Sequence, residues 1–342
     1  SHAAAQHVRE HIGARIRRAR HAASRSQQSL ADEVGVSKMV ISKYEQGKAA
    51  PSSGVLLRLA RSLGYPAEYF LRPVSVSLTA PAYHSRHNLP QKQEQAVVAA
   101  VQEWLERYLD IEDILGEETR YEMPEGFPRN VAGDAEAAAA EAEEAADALR
   151  RAWELGMGPL DDLVDILEAR GVKVGEVAVQ EDVESLMLRT DSGQPVIAVR
   201  RGRPVEQRRF SLAHELGHLA LNLPEGKAGE QLADRFAEAL EAPAAAVRWE
   251  LGQQRTHLSM AELVHLRDRY GLSPPAWRLR AHHLGIIPQS EVRRLSAELR
   301  RDVWELQESG SSGNERPQRM ERLVMRALAE NLISEGRAAQ LL

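Results

Sequence analysis

The 342-residue sequence predicts a mainly α-helical protein with one small β-sheet. It divides into a bundle of five helices over 1–72, a linker and connecting helix over 73–125, an α+β domain over 126–250 and a helical region over 251–342. Three observations predict this. Short apolar periods punctuated by serine caps and glycines fill the first 72 residues. Three strand-like runs crowd between 172 and 200. Most other apolar positions recur at helical spacing. Charge divides the chain in the same way: residues 1–72 hold 12 Lys/Arg against 5 Asp/Glu, net +7, whereas 117–154 hold 4 against 11, net −7.

Within the basic head, Ile12 and Ile16 open the first helix, which carries Arg15, Arg17, Arg18 and Arg20. The run from Ser26 to Gly47 then has the pattern of a helix-turn-helix. Ala31 is small where two helices cross, Gly35 can take the left-handed turn, Val36 plugs the core and Ser37 caps the next helix. Such a motif on a strongly basic segment points to nucleic acid. Ile41 and Tyr44 are expected to face the core.

Pro73 closes the head, and residues 74–88 read as an irregular linker. A helix over 94–115 carries the apolar stripe Val97, Val101, Trp104, Leu105, Tyr108 and Ile111, to pack on the body or on a partner subunit. Pro124, Gly126 and Pro128 break structure after it. The Ala- and Glu-rich segment 134–148 reads as a solvated helix, and 158–171 as a helix opened by Pro159 and stopped by Gly171. Strands are expected over 172–178, 185–190 and 195–200, with 196–199 as the edge able to bind an extended peptide. Helices over 260–269 and 273–285 look faintly like a second helix-turn-helix, read here as a packed pair. His282 and His283 are adjacent, so they point in different directions on a helix and suggest no metal site. Residues 310–314 form a loop before the last helices.

The most specific chemistry lies in Phe210-Ser-Leu-Ala-His-Glu-Leu-Gly-His218. His214 and His218, four apart, share one helix face and can hold one metal ion, with Glu215 reaching its bound water. The apolar neighbours Leu212, Ala213, Leu216, Leu219 and Ala220 suit a dry metal site. A catalytic zinc usually takes three protein ligands. No third histidine follows at the expected spacing, and Leu221 stands where a metzincin has glycine. The chain instead turns at 222–226 into a helix bearing Glu230 and Asp234 on one face. An antiparallel return brings Glu230 beside His218, so the pair could supply a ligand carboxylate and one that fixes a histidine tautomer.

Two resemblances cover nearly the whole chain. Leu30-Ala31, Gly35-Val-Ser37, Ile41-Ser-Lys-Tyr-Glu45, Gly47 and Pro51 resemble the XRE, or Cro/repressor-like, family, which implies a lambda-repressor-like fold over about 8–72. It further implies that Lys38, Met39, Ser42 and Lys43 read bases in the major groove, with Gln27 and Ser37 on phosphate. Residues 76–342 resemble the ImmA/IrrE metallo-endopeptidases of zincin-like fold, through Arg209–His218, Glu230-x-x-Ala-Asp-x-Phe-Ala237 and the tail 322–334. That resemblance implies zinc on His214, His218 and Glu230, with Glu215 catalytic and Asp234 supporting. The chain departs from it at Leu240-Glu-Ala-Pro243, where Leu-Leu-Met-Pro is common, and at His84, where Phe is usual.

Together these imply a DNA-binding regulator, a homodimer on a palindromic operator, whose peptidase cleaves a partner repressor or its own head. A sensor that binds a ligand without cleaving, and a metal-free DNA-binding protein, are the rival readings. The absence of cysteine excludes disulfides and thiolate metal sites. With no apolar run of spanning length and no secretory signal pattern, the expected location is the cytoplasm.

Overall fold

Serine caps and glycine stops divide the head as the sequence suggests. In the computed structural model, which describes residues 2–74, 76–79, 90–178, 183–301 and 315–342, α1 spans His2–Ala22 and α2 Gln27–Val34. The helices α3 (Lys38–Glu45) and α4 (Ser53–Leu63) follow, with a 3-10 turn, η1, at Ala67–Leu71. Ser26, Ser37 and Ser52 each accept a backbone N–H of the helix they open. Gly35 ends α2 at φ +76°, a conformation that costs glycine nothing and reverses the chain into α3. Ile16, Leu30, Ala31, Ile41, Leu59 and Phe70 fill the head's core.

The linker expected over 74–88, His84 included, lies mostly outside the described residues, as does the loop over 310–314. Its described part is not irregular throughout: β1 (Leu78–Thr79) pairs antiparallel with β4 (Ser185–Thr190). With β3 (Lys173–Val177) and β5 (Pro195–Arg200) these strands form a sheet in the order β1-β4-β5-β3. β5 is therefore a central strand, parallel to β3 and antiparallel to β4, and the edge expected at 196–199 is corrected. Ile197 and Val199 pack with the metal-bearing helix on one face, Val196 and Ala198 with the connecting helix on the other. A strand buried on both faces reads as an unbroken apolar run, which is why it belongs in the middle.

The connecting helix α5 (Gln91–Leu115) lies across that second face, its Val97, Val101 and Leu105 in the sheet core. Its Trp104 indole covers Gly175, where a Cβ would meet the ring at 2.7 Å. The same helix holds the head. Arg15 and Arg18 of α1 pair with Glu103 and Glu106, Arg18 Nη1 lying 2.6 Å from Glu106 Oε1, and the Tyr69 hydroxyl donates to Glu103. About two turns further along, Glu112 pairs with Lys173 of β3 and with Arg319 of α14 (Arg319–Ala329). Tyr108 and Ile111 pack on α14 and on α15 (Glu335–Leu341).

A short parallel bridge joins β2 (Arg129–Asn130) to β6 (Leu221–Asn222). The acidic helix α6 (Ala135–Ala152) is capped by Asp134, but the expectation that it is merely solvated is corrected. Ala138, Ala142, Ala145, Ala146 and Leu149 are buried in the core of the α+β body. Alanines at helical spacing make a smooth face that lets helices approach closely, with little of the hydrophobic contrast that larger side chains display. The helix α7 (Leu163–Ala169) starts later than Pro159 suggests, because Asp162 caps it. After α8 (Val205–Ala220) and α9 (Lys227–Glu241), α10 (Ala244–Leu251), α11 (Met260–Tyr270), α12 (Pro274–His283) and α13 (Gln289–Arg301) share a second core. Trp277 and Arg280 of α12 and Arg267 of α11 are buried there, so α11 and α12 are packed helices.

The departure at Glu241 has a measurable cost. Its side chain is fully buried and neither carboxylate oxygen has a hydrogen-bond partner among the described residues. Burial, opposed by nearby Arg209, drives its pKa well above the ordinary 4.5. The folded state then keeps a proton that the unfolded chain releases, so stability falls as pH rises above the unfolded value. Glu241→Leu is expected to stabilise the protein by about 1–3 kcal/mol at pH 7 and to flatten that pH dependence. Urea unfolding of both proteins at pH 5 and pH 8 checks this; an equal loss of stability on raising the pH in both would contradict it.

Candidate metal centre and nucleic-acid interface

Helix α8 buries His214, Glu215 and His218, the two histidines sharing one face, and α9 returns antiparallel against it. Gly217 makes the approach possible: a Cβ there would meet Phe236 Cδ1 at 3.2 Å and the Ala233 backbone at 3.3 Å. With the helices this close, Glu230 of α9 reaches both histidines and Asp234 reaches His214. His214 Nε2 lies 3.2 Å from His218 Nε2 and 3.3 Å from Glu230 Oε2, and Glu230 Oε1 lies 3.4 Å from His218 Nε2. Donor atoms of the three residues all fall within 4.8 Å of one another, the one such group among the described residues. His282 and His283 belong to none.

This donor set fits zinc. A tetrahedral ion with bonds of about 2.0–2.1 Å separates its ligands by roughly 3.3–3.4 Å, close to the spacings found. Electrostatics point the same way. Burial on its own would lower the His214 pKa, but hydrogen bonds to Asp234 and Glu230 outweigh it and push the imidazole up to about 9. Burial would raise the Glu230 carboxyl, yet His214 and His218 hold it far below the usual carboxylate range. The pocket is thus shaped for positive charge, which a divalent cation can supply.

Asp234 Oδ1 sits 2.8 Å from His214 Nδ1, leaving Nε2 directed at the other donors. That contact fixes the tautomer a metal ligand requires. Glu215 is 1% exposed; its Oε1 accepts a hydrogen bond from Ser185 Oγ at 2.7 Å, and its buried Oε2 has no hydrogen-bond partner among the described residues. The sequence reading missed Ser185. It is a generic serine at the start of β4, 30 residues from Glu215, and only the packing of the sheet on α8 brings the two together.

In the head, the side chains of Lys38, Met39 and Lys43 stand exposed on α3, Met39 at 66%. Ser42 is half-buried and accepts from Gln46 Nε2, while Ser37 Oγ caps α3 by accepting Val40 N–H at 3.3 Å. Gln27 donates to Glu45 Oε2 at 2.8 Å, and Glu45 in turn holds Arg20, so Gln27 is braced rather than free to swing. Ile41 and Tyr44 are buried, as expected.

Comparison with known proteins finds both resemblances. Residues 16–70 match the helix-turn-helix family, and residues 167–282 match the family described as IrrE N-terminal-like domain. The chain is 41% identical over 64 residues to an uncharacterized transcriptional regulator in the ATPase CF(0) region of Rhodospirillum rubrum, which covers 19% of this chain and 59% of that one. It is 38% identical over 76 residues to repressor protein C2 of Salmonella phage P22, covering 22% of this chain and 35% of the relative. The matched segments thus span between about a third and three fifths of these curated relatives. No helix among the described residues is long and apolar enough to cross a membrane.

Proposed function

We propose that this chain is a DNA-binding transcriptional regulator carrying a zinc metallo-endopeptidase. The observation that carries the reading is the cluster of His214, His218 and Glu230 donors, with the buried Glu215 carboxylate close enough to act on the His214 imidazole. Zinc bound there would supply a Lewis acid for the scissile carbonyl and lower the pKa of its water. Glu215, oriented by Ser185, takes the proton of the attacking water and passes it to the leaving amine. Asp234 keeps His214 in the ligating tautomer. The dry walls of α8, α9 and the sheet keep bulk water from competing for the ion.

The substrate we propose is a partner repressor or this chain's own head, so that cleavage relieves repression. Likeness to repressor protein C2 and the basic head support the DNA-binding part of the reading. A homodimer on a palindromic operator would double the contacts of one head. The deciding experiment is metal analysis of protein purified without added metal, combined with a cleavage assay on a partner regulator. About one zinc per chain and cleavage that a chelator stops support the reading. No zinc after loading would overturn it, and zinc without cleavage would shift it to the sensor.

On the DNA side, Lys38 and Lys43 are the exposed cations of α3, and base-reading lysines act through guanine acceptors. Lys38→Ala is expected to cost about 1–3 kcal/mol of operator affinity and to relax preference at one base pair. Selection from random duplexes followed by titration of the wild type and the variant on single-base variants of the selected site checks this. A uniform loss across all sites would assign Lys38 to phosphate instead.

A further inference from the structure

The helical region behind the metal domain carries a charge pattern of its own. Residues 251–301 hold nine arginines against four carboxylates, net +5. On α13 the two signs are sorted by face. Arg294 takes both carboxylates of that helix, Glu291 at 2.7 Å and Glu298 at 2.5 Å. Arg293 and Arg300, seven residues apart with Ser296 between them, share another face over roughly 10 Å of helix. Both are exposed, and half-buried Arg278 of α12 reaches the same face by donating to Ser296 Oγ, whose own hydroxyl donates to Val292 O at 2.6 Å. Among the described residues no carboxylate pairs with Arg278, Arg293 or Arg300. The Arg278 Nε is buried with no hydrogen-bond partner among those residues. Burial first, and then the nearby Arg300 guanidinium, hold the Arg278 pKa below its ordinary value. Like charges gathered in this way are unfavourable until an anion joins them, and the guanidinium fork suits phosphate.

The turn that opens α12 points to nucleic acid as the source of that phosphate. Gly271 at φ +75°, buried Leu272 and the capping Ser273 repeat Gly35 at φ +76°, Val36 and the capping Ser37 of the head. Counted from the cap, buried Trp277 falls where the head has buried Ile41, and Arg278 where it has Ser42. The outward positions differ, since Pro275 stands in place of Met39 and α12 has no lysine. Such a face can hold phosphate and leaves base edges unread. A duplex carries one phosphate charge per about 1.7 Å of its axis, so a row of guanidinium groups meets several at once.

We propose that Arg278, Arg293 and Arg300 form a second, sequence-independent DNA contact, through which the body of the chain grips the phosphate backbone of a duplex. The contact goes beyond the peptidase reading and depends on neither the metal nor cleavage. The test uses the full-length protein and a long labelled duplex of random sequence, titrated by fluorescence anisotropy across a salt series. Each phosphate neutralised adds about 0.9 to the slope of log K against log salt, so changing all three arginines to Gln should flatten it by about 2–3 and weaken low-salt binding at least about tenfold. Because Arg278 is half-buried, Arg293→Gln with Arg300→Gln is the second variant. It should flatten the slope by about 1–2 with circular dichroism and thermal unfolding unchanged. Changing Arg151, Arg322 and Arg326 to Gln removes the same charge from exposed arginines that have carboxylate partners, and should move the slope by less than about 1. Preference for the selected operator over random duplex should persist in all of these variants, since α3 is untouched. An unaltered slope in both patch variants, or an equal flattening in the control, overturns the contact. Loss of binding to a polyglutamate chain with the DNA slope unaltered also overturns it, and assigns the patch to an acidic protein. A wild type that binds no duplex of any sequence overturns this contact together with the role of the head.

Discussion

Replacing Glu215 by Gln is expected to cut peptide cleavage by about 10²–10⁴-fold while leaving zinc content and operator binding in place. Gln has the size and shape of the carboxylate, and its carbonyl oxygen can still accept from Ser185 Oγ, which approaches Glu215 at 2.7 Å. The ligand set His214, His218 and Glu230 is untouched by the change. Only the capacity to take a proton is lost, so the fall should appear in kcat rather than in KM. Single-turnover cleavage of the partner regulator measures it. Cleavage within about twofold of the wild type would remove Glu215 from the mechanism; loss of zinc would instead show that the variant perturbs the site.

Removing a ligand has the second large effect. Glu230→Ala leaves two histidines, one ligand short of a catalytic zinc site. Zinc affinity should fall by well over the 10–100-fold that follows from altering a supporting residue such as Asp234. Because a metal bound only to the folded state stabilises it by mass action, the variant should also lose the stabilisation that zinc gives the wild type. Competition with a chromogenic chelator, for Glu230→Ala and Asp234→Asn side by side, reads the order of effects. A smaller loss for Glu230→Ala than for Asp234→Asn would mean that the ligand and supporting roles are exchanged.

Much of the fold was legible because its signals are local. Serine caps, the glycine after α2 and the four-residue spacing of His214 and His218 are properties of one turn of chain. The three strands were legible for the same reason, from short apolar runs between turns. What was not legible depends on residues far apart. The central position of β5 follows from what packs on its two faces. The burial of α6 was hidden because alanine gives little hydrophobic contrast, and acidic neighbours dominated the reading. Ser185 and Glu241 matter only through the elements packed on them. The approach of Glu230 to the histidines is intermediate: the antiparallel return was legible from the turn at 222–226, but the helix separation depends on Gly217 fitting against Phe236 and Ala233.

The pairing of Arg15 and Arg18 with Glu103 and Glu106 bears on where this molecule can be cut. Composition places a border after residue 72, where a basic segment gives way to a linker. The energetic seam lies elsewhere, since α5 neutralises the guanidinium groups of α1 while its other side is built into the sheet. A fragment ending at 72 would present two arginines stripped of their counter-charges and a Tyr69 hydroxyl without its acceptor. Removing α5 also opens these groups to water, so what the fragment loses is the partly buried ion pairs and their packing, and it is expected to be less stable than the head within the whole chain. The helix-turn-helix head therefore borrows part of its folding free energy from α5 and the body behind it, so a change in the body is expected to weaken the head without touching α3.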